Sequence, residues 1–564
     1  MKTTRRQFLK AAGTVTAASI LGSFNCGQKP QKPNVLLIFS DELAYEYVSG
    51  YGGDIQTPNI DKLADQGLKF SHGYAAAPMC TPSRYGVLTG QYAGRCQHPS
   101  FLENYPKDQP YSIAWNTYLT TSQYTLPRLL SENGYVTGMA GKWHVGQLPE
   151  SVQLPDIDPD ADPTDEQVNI KLQKRHELLA EQVKTQAGFD VANSVSWGNL
   201  DGFPVKALRH HNFPWMTKGA VDFIKEQAEQ DKPFFLYAAT TAVHGPYHPD
   251  QFKHDLRYTP QGKLDDVPQY KLSEDKLNEQ LENTPKWMHH KVAGMASLDN
   301  HVGILMQTLN NLGIEQNTIV IFMADHNIEP GKATCYEKGS RVPFIIRWPE
   351  QIQPGRVSDA LVQSVDILPT LMQLAGAPLP QDGTFDGKSM APVLSEESDS
   401  IHDYIYTESG YARAVTDGHF KYIAVRYPDA VVQQMENGTM QYAPNHLNTF
   451  KQSHSHIAMQ HFPHYFDQDQ LYDLKNDPYE QNNLADKPDY AGELDRLKKA
   501  LQEKLNTFSH PFDLAPVPFM QTDEYERMAQ NTRDIGTDFI AWLPRDHGKI
   551  VWPPKEDNPT FTDY

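Results

Sequence analysis

Cysteine is scarce in this chain: four in 564 residues, namely Cys26, Cys80, Cys96 and Cys335. A polypeptide of that length with so few sulfurs cannot be held by a disulfide framework, so its stability has to come from packed cores. Basic charge is short as well. With 50 Lys and Arg against 70 Asp and Glu, the formal net charge is −20, which excludes nucleic acid as a partner because its phosphates demand a basic footprint. Long apolar runs are also missing. The stretch from Ala11 to Leu21 falls well short of the roughly 20 residues needed to cross a bilayer, and no transmembrane span is expected. Hydrophobic residues at 39% and aromatics at 11% are nonetheless enough to build cores. The natural partition at this length is a large α/β domain with a smaller second domain.

The first thirty residues read as an address. Thr4-Arg5-Arg6-Gln7-Phe8-Leu9-Lys10 is a twin-arginine pattern ahead of the short apolar run. Segment 1–30 is therefore expected to be a signal peptide for export to the periplasm or the extracellular space. Cys26 is a candidate lipid anchor, although Ser23-Phe24-Asn25 in front of it makes a poor lipobox.

From Lys32 the pattern alternates strands and helices. Asn34 to Phe39 is a continuous apolar run of the kind buried on both faces of a parallel sheet, and it ends in Ser40-Asp41-Glu42. Similar strands are expected at Val136 to Ala140, Phe234 to Ala239, Ile319 to Met323 and Phe344 to Ile346. Helices are expected from Thr57 to Gly67, Leu126 to Asn133 and Val292 to Leu312. Open α/β sheets bind ligands beyond the carboxyl ends of their strands. The residues at those ends are therefore candidates: Asp41 and Glu42; Lys142 and His144; His244; Asp325, His326 and, after Gly331, Lys332. Taken singly, each has an ordinary structural reading as a solvated charge or a hydrogen-bonded loop histidine.

One further stretch organises the rest, Ala75 to Arg95 (AAAPMCTPSRYGVLTGQYAGR). A lone cysteine there can be a small buried hydrophobe, half of a disulfide or a reactive thiol. Cys80-x-Pro82-x-Arg84, followed by Leu88, Gly90 and Tyr92, resembles the signature of the type I sulfatases, in which that cysteine is converted after synthesis into formylglycine. The stretch TPNIDKLADQGLKF, Gly141-Lys142-Trp143-His144, His244-Gly245-Pro246 and Ala324-Asp325-His326 are similar to segments of the same family, in the same order, within the alkaline phosphatase superfamily.

The resemblance implies a fold and a mechanism. The fold is a large, mixed but mostly parallel sheet flanked by helices over 31–395, then a small α+β domain with an antiparallel sheet over 396–508. The tail 509–564 matches no known pattern. The nucleophile is a formylglycine hydrate at position 80, made by a formylglycine-generating or sulfatase-maturing enzyme as partner. Asp325 helps to activate it, Arg84 holds its hydroxyls, His144 assists release of sulfate, His244 and Lys332 serve the leaving oxygen, and Lys142 binds a sulfate oxygen. Because Asp41, Glu42 and Asp325 would otherwise repel an anion, a divalent cation is implied, calcium ahead of magnesium. By resemblance its ligands are Asp41, Glu42, residue 80, Asp325 and His326.

Three positions depart from the family pattern. Glu42 stands where a second aspartate is usual, His326 where asparagine is common, and Lys338 where the family has glycine. Imidazole nitrogen being a poor calcium ligand, His326 is open to bonding with the nucleophile instead of the metal, and Lys338 reads as a surface charge ahead of a cation at the pocket mouth. The insertions 97–121, 148–211 and 251–290 would wall the pocket with Trp115, Trp197, Trp215 and Trp287. Together with export, they suggest a sulfated carbohydrate substrate. Two alternatives stand beside this reading: a phosphoester or phosphonate ester hydrolase of the same superfamily, and a sugar-binding protein whose Cys80 is never converted.

Overall fold

The computed structural model describes residues 32–516 apart from 148–151, 153–156, 267–269, 283, 329–330, 437–457 and 459–460, and also describes 545–546 and 549–550. The expected signal peptide, Cys26 and most of the tail 509–564 lie outside the described residues. No helix among the described residues is long and apolar enough to cross a membrane.

Ten strands come before the small domain: β1 (Asn34–Asp41), β2 (Leu68–Tyr74), β3 (Val136–Lys142), β4 (Val191–Ser196), β5 (Phe234–Val243), a two-residue hairpin of β6 (Tyr258–Thr259) and β7 (Gly262–Lys263), β8 (Thr318–Ala324), β9 (Phe344–Arg347) and β10 (Arg356–Gln363). Eight of them form one sheet in the order β10-β2-β9-β8-β1-β5-β3-β4. The sheet is parallel except at β9, which pairs antiparallel with β2 and β8. This is the mixed, mostly parallel α/β sheet expected from the sequence. Strand β1 is central because Val35 to Asp41 are all buried, which only a strand covered on both faces tolerates. The sequence patterns miss β2, β4 and β10, and also the helices Glu166–Ala187 and Phe213–Ala228.

Register brings the strand ends together. Ser40 of β1 lies beside Ala324 of β8, so Asp41 and Asp325 follow side by side. Asp41 pairs with Val243 of β5, just ahead of His244. Gly141 of β3 pairs with Ala239 of β5, just ahead of Lys142. Only glycine suits position 141: its φ is +100°, and a Cβ there would stand 1.8 Å from the Ala239 carbonyl oxygen.

A second sheet, β11 (Ile405–Ser409), β12 (Ala412–Thr416), β13 (Phe420–Val425) and β14 (Asp469–Asp473), is antiparallel throughout. The helix Ala491–Leu505 covers it with Leu497, Leu501 and Leu505, spaced one turn apart. The loop carrying Lys332 is anchored on this sheet. Cys335 and Tyr336 belong to the same apolar cluster as Ala412, Ile423 and Tyr472, and buried Lys421 of β13 lies 2.7 Å from Glu337 and 3.2 Å from Glu480. Removing that ammonium takes from Glu337 its nearer cation, leaving Arg341 at 3.6 Å, and from Glu480, whose carboxyl burial already pushes up to about 8, the cation 3.2 Å away. Lys421→Met is therefore expected to cost about 3–5 kcal/mol in a denaturant melt, and Lys421→Met/Glu480→Gln to recover part of it. A melt unchanged by Lys421→Met would refute this role.

The three described cysteines, Cys80, Cys96 and Cys335, are buried and free. Trp215 is a core residue that donates to Gln261, Trp115 packs half-buried against the main core, and Trp197 alone of these stands beside a candidate site residue. Lys338 pairs with Glu46 and lies over the Tyr479 ring.

Candidate active site

The helix Cys80–Thr89 forms the floor of the site. All ten residues are buried, polar ones included, and Gly90 caps the helix in the left-handed region at φ +65°. Cys80 opens the helix, where backbone N–H groups are unpaired and favour an anion. Arg84 lies one turn on, hence on the same face. The Cys-x-x-x-Arg spacing thus places a reactive position and a cation side by side.

Around Cys80 the side chains close in. Its Sγ is 3.4 Å from Asp41 Oδ1 and 3.2 Å from His326 Nε2. Arg84 Nη2 donates to Asp325 Oδ2 at 2.9 Å, and its Nη1 donates to the Lys142 carbonyl at 3.1 Å and to Tyr237 Oη at 3.4 Å. The guanidinium lies over the Phe39 ring, 5.3 Å from its centre. Lys142 Nζ is 2.5 Å from Asp41 Oδ2. Burial, and then the Asp41 charge, pushes the Cys80 thiol up to about 12. An unmodified thiol here stays protonated at neutral pH and is a weak nucleophile.

A second group sits on the neighbouring side. Glu42 Oε2 accepts from Lys332 Nζ at 2.7 Å and lies 3.3 Å from His244 Nε2, while Lys291 Nζ is 3.8 Å from Glu42 Oε1. Burial opposes charge on Lys332, yet Glu42 holds its pKa above the ordinary lysine value. Burial and then Lys332 hold His244 well below the usual imidazole range. The pocket therefore presents a charged lysine and a neutral imidazole together. His144 stands on the Lys142 side; its Nδ1 is buried without a hydrogen-bond partner among the described residues, and its backbone N–H donates to the Trp197 carbonyl. Both Glu42 and His144 have positive φ, +56° and +50°, a conformation rare outside glycine and concentrated at functional sites.

The structure thus gathers all ten sequence candidates at one rim of the sheet. It places the Glu42 carboxylate against Lys332 and His244, outside the close group of Asp41, Cys80, Asp325 and His326, while the Glu42 N–H donates to Asp325 Oδ1 at 3.0 Å. It also adds residues without sequence signals: Tyr237 from inside β5 on Arg84, and Lys291 from the start of the helix His289–Asn311 on Glu42.

The two acids suit a hard cation, whereas the His326 imidazole is a poor ligand for one and faces Cys80 with its Nε2 at 3.2 Å. Ligand atoms of Asp41, Cys80, Asp325 and His326, all buried, lie within 4.8 Å of one another. Burial and the adjacent Asp41 push the Asp325 carboxyl above its ordinary range, a cost that a cation between the two would remove. His326 Nδ1 faces the Asn327 carbonyl at 2.7 Å and must donate to it, so Nε2 keeps its lone pair toward Cys80.

Comparison with known proteins agrees with this architecture. The sulfatase family model matches residues 33–377, and the model for the C-terminal part of N-sulphoglucosamine sulphohydrolase matches 331–427. Human arylsulfatase A is 31% identical over 80% of this chain and 83% of its own. An N-acetylgalactosamine-6-O-sulfatase of Bacteroides thetaiotaomicron is 26% identical over 85% and 94%. A solved structure from work on glycosaminoglycan metabolism by the same organism superposes with a TM-score of 0.57 at 23% identity, over 84% of this chain and 99% of that one. A match to the sulfatase model across most of the chain, joined to a relative above 30% identity, leaves one conclusion: this chain belongs to the sulfatase family and is a sulfuric ester hydrolase.

Proposed function

We propose that the protein removes sulfate from a sulfated saccharide, with formylglycine at position 80 as nucleophile and one calcium ion bound beside it. The observation that carries this reading is Cys80 itself: it opens a buried helix among Asp41, His326, Arg84 and Lys142, while its own thiol is held protonated. Once formed and bound, the aldehyde hydrate and the cation would supply an oxygen nucleophile, a second hydroxyl for release of sulfate, and compensation for the acids.

The remaining chemistry falls to the chain's own side chains. Asp41 and Asp325 would hold the cation together with residue 80, with His326 as the poorest ligand of the set. Glu42, a ligand by resemblance, is turned toward Lys332 here and fixes the position of that lysine. Asp325 is placed to take a proton from a hydroxyl at residue 80, with Arg84 orienting both. Lys142 Nζ can bind a sulfate oxygen, as a point charge free to turn. His244 and Lys332 share Glu42 on the side where the ester oxygen would leave, and Lys332 carries the proton to give it. His144, with its unpartnered Nδ1, can take a proton as sulfate is released.

Saccharide as substrate class draws on the Bacteroides relative, an N-acetylgalactosamine-6-O-sulfatase, and on Trp197 beside His144. Export is proposed from the twin-arginine segment, with maturation of Cys80 by a cytoplasmic partner before it. Each of the three pocket cations is already paired with an acid, Arg84 with Asp325, Lys142 with Asp41 and Lys332 with Glu42. The balance left for a ligand suits the single negative charge of a sulfate ester better than the two of a phosphate monoester. Turnover of 4-nitrophenyl sulfate is therefore expected to exceed that of 4-nitrophenyl phosphate by at least about a hundredfold in kcat/KM, a difference of roughly 2.7 kcal/mol. Preference for the phosphate, a phosphodiester or a phosphonate would support the hydrolase alternative instead.

A further inference from the structure

A cavity of about 290 Å³ opens beside the reaction pocket, walled by the turn from Ser196 to Pro204 and by Arg175 of the helix Glu166–Ala187. It shares that wall with His144. The Trp197 carbonyl accepts the His144 N–H at 2.7 Å, the two rings lie 5.1 Å apart, and a Cβ on Gly198 would come within 3.6 Å of the imidazole.

Arg175 is the one charged residue that lines the cavity; Asp201, within the same turn, is exposed and does not line it. It is 5% exposed, its Nε donates to the Val152 carbonyl at 2.8 Å, and its guanidinium lies over the Phe203 ring at 4.8 Å. No carboxylate among the described residues pairs with it. Burial alone pushes its pKa down to about 10. Two more lining groups, Ser196 Oγ and Asn199 Oδ1, are buried without a hydrogen-bond partner among the described residues, and Ser196 is 3% exposed. A buried cation and idle polar groups are costly unless something supplies the missing partner. A guanidinium fork with the Ser196 hydroxyl as a further donor matches an oxyanion, Asn199 Oδ1 can accept from a sugar hydroxyl beside it, and Trp197 offers an aromatic face.

We propose that this cavity is an anion subsite that recognises a second oxyanion on the saccharide, a uronate carboxylate or a further sulfate, next to the sugar whose sulfate is removed. This rests on the proposed function only for where the scissile sulfate sits. The substrate is then a saccharide carrying at least two anionic groups on neighbouring positions or residues.

The test uses monosulfated uronate–hexosamine disaccharides against their methyl esters, and disulfated against monosulfated neutral disaccharides. Binding is measured calorimetrically on Cys80→Ala protein, and turnover on the matured enzyme. For at least one pair, the doubly anionic member is expected to bind at least tenfold more tightly, and which pair discriminates identifies carboxylate or sulfate. Arg175→Gln should erase that difference and raise KM for the doubly anionic probe about tenfold, while kcat/KM for 4-methylumbelliferyl sulfate changes less than twofold. Arg175→Lys should keep part of the preference. Equal binding within every pair, or an Arg175→Gln loss shared equally by the aryl sulfate, would overturn the subsite. Should Arg175→Gln not fold, the comparison of paired probes on protein with Arg175 intact decides alone. Discrimination in binding without turnover of any sulfate by matured protein would sink the proposed function and leave the subsite standing.

Discussion

Cys80→Ala is expected to lower sulfate ester turnover by about four orders of magnitude or more, the scale seen when a catalytic nucleophile is lost, while leaving the fold intact. The fold survives because the thiol makes no bond that packing needs: its neighbours Asp41 and His326 have other partners in Lys142 and the Asn327 carbonyl. Deleting one buried sulfur costs about 1 kcal/mol, comparable to a buried methyl group, and a melting temperature lowered by no more than about 2 °C. Cys80→Ser should fail almost as completely in a host that converts only cysteine. A serine hydroxyl occupies the sulfur's place beside Asp41 and His326, but it has no second hydroxyl on the same carbon through which sulfate could be expelled. Peptide mass spectrometry of active wild-type protein should show sulfur lost at position 80 and an aldehyde gained. Full turnover by protein with an intact Cys80 thiol would refute the mechanism. A silent, unconverted protein that still binds sulfated sugars, made with a competent maturing enzyme present, would favour the sugar-binding alternative.

How much of this could be read from the chain alone follows from where each signal is written. Strands β1, β3, β5, β8 and β9 are legible because their apolar runs have to be buried on both faces. The strands that escape are the ones whose burial is incomplete or shared with polar side chains. Lys69, Ser71 and His72 interrupt β2, β4 is an edge strand spelled Val-Ala-Asn-Ser-Val-Ser, and β10 begins on the other edge with an exposed Val357. The catalytic candidates are legible for a related reason. Parallel strands in register deliver their carboxyl ends to one rim, so Asp41, Lys142, His244 and Asp325 each follow a readable run. Tyr237, Lys291 and Arg175 carry no such mark. Tyr237 sits inside an apolar strand, Arg175 lies on a helix within the insertion 148–211, and Lys291 lies at the start of the helix that follows the insertion 251–290, where only tertiary packing decides which side chain meets the pocket. Glu42 shows the limit of motif transfer. Its extra methylene and left-handed backbone carry the carboxylate to Lys332, which the order of residues does not reveal.

Calcium is expected to raise the melting temperature of the matured protein, and its removal to abolish turnover without unfolding the chain. The acids explain both halves. Asp41 and Asp325 meet around Cys80 with only Lys142 and Arg84 to balance them, so a divalent ion bound to the folded state alone stabilises it, by about 2.7 kcal/mol at a hundredfold excess over its Kd. The same ion pairs keep the acids compensated when calcium is withdrawn, so chelation should weaken the structure rather than collapse it. Asp325→Asn removes one of the two charges with little change of shape and leaves Arg84 without its closest partner. It should abolish the calcium-dependent rise in melting temperature and lower turnover by at least about a hundredfold, the scale of losing one oriented electrostatic contact to the transition state. Lys332→Met, on the Glu42 side, should lower turnover yet leave the calcium-dependent rise in place, because its partner's carboxylate lies outside the close group of Asp41, Cys80, Asp325 and His326. A melting temperature indifferent to calcium up to millimolar concentration, together with full turnover after exhaustive chelation, would remove the cation from the mechanism. Loss of the calcium response in Lys332→Met would instead draw Glu42 into its ligand set.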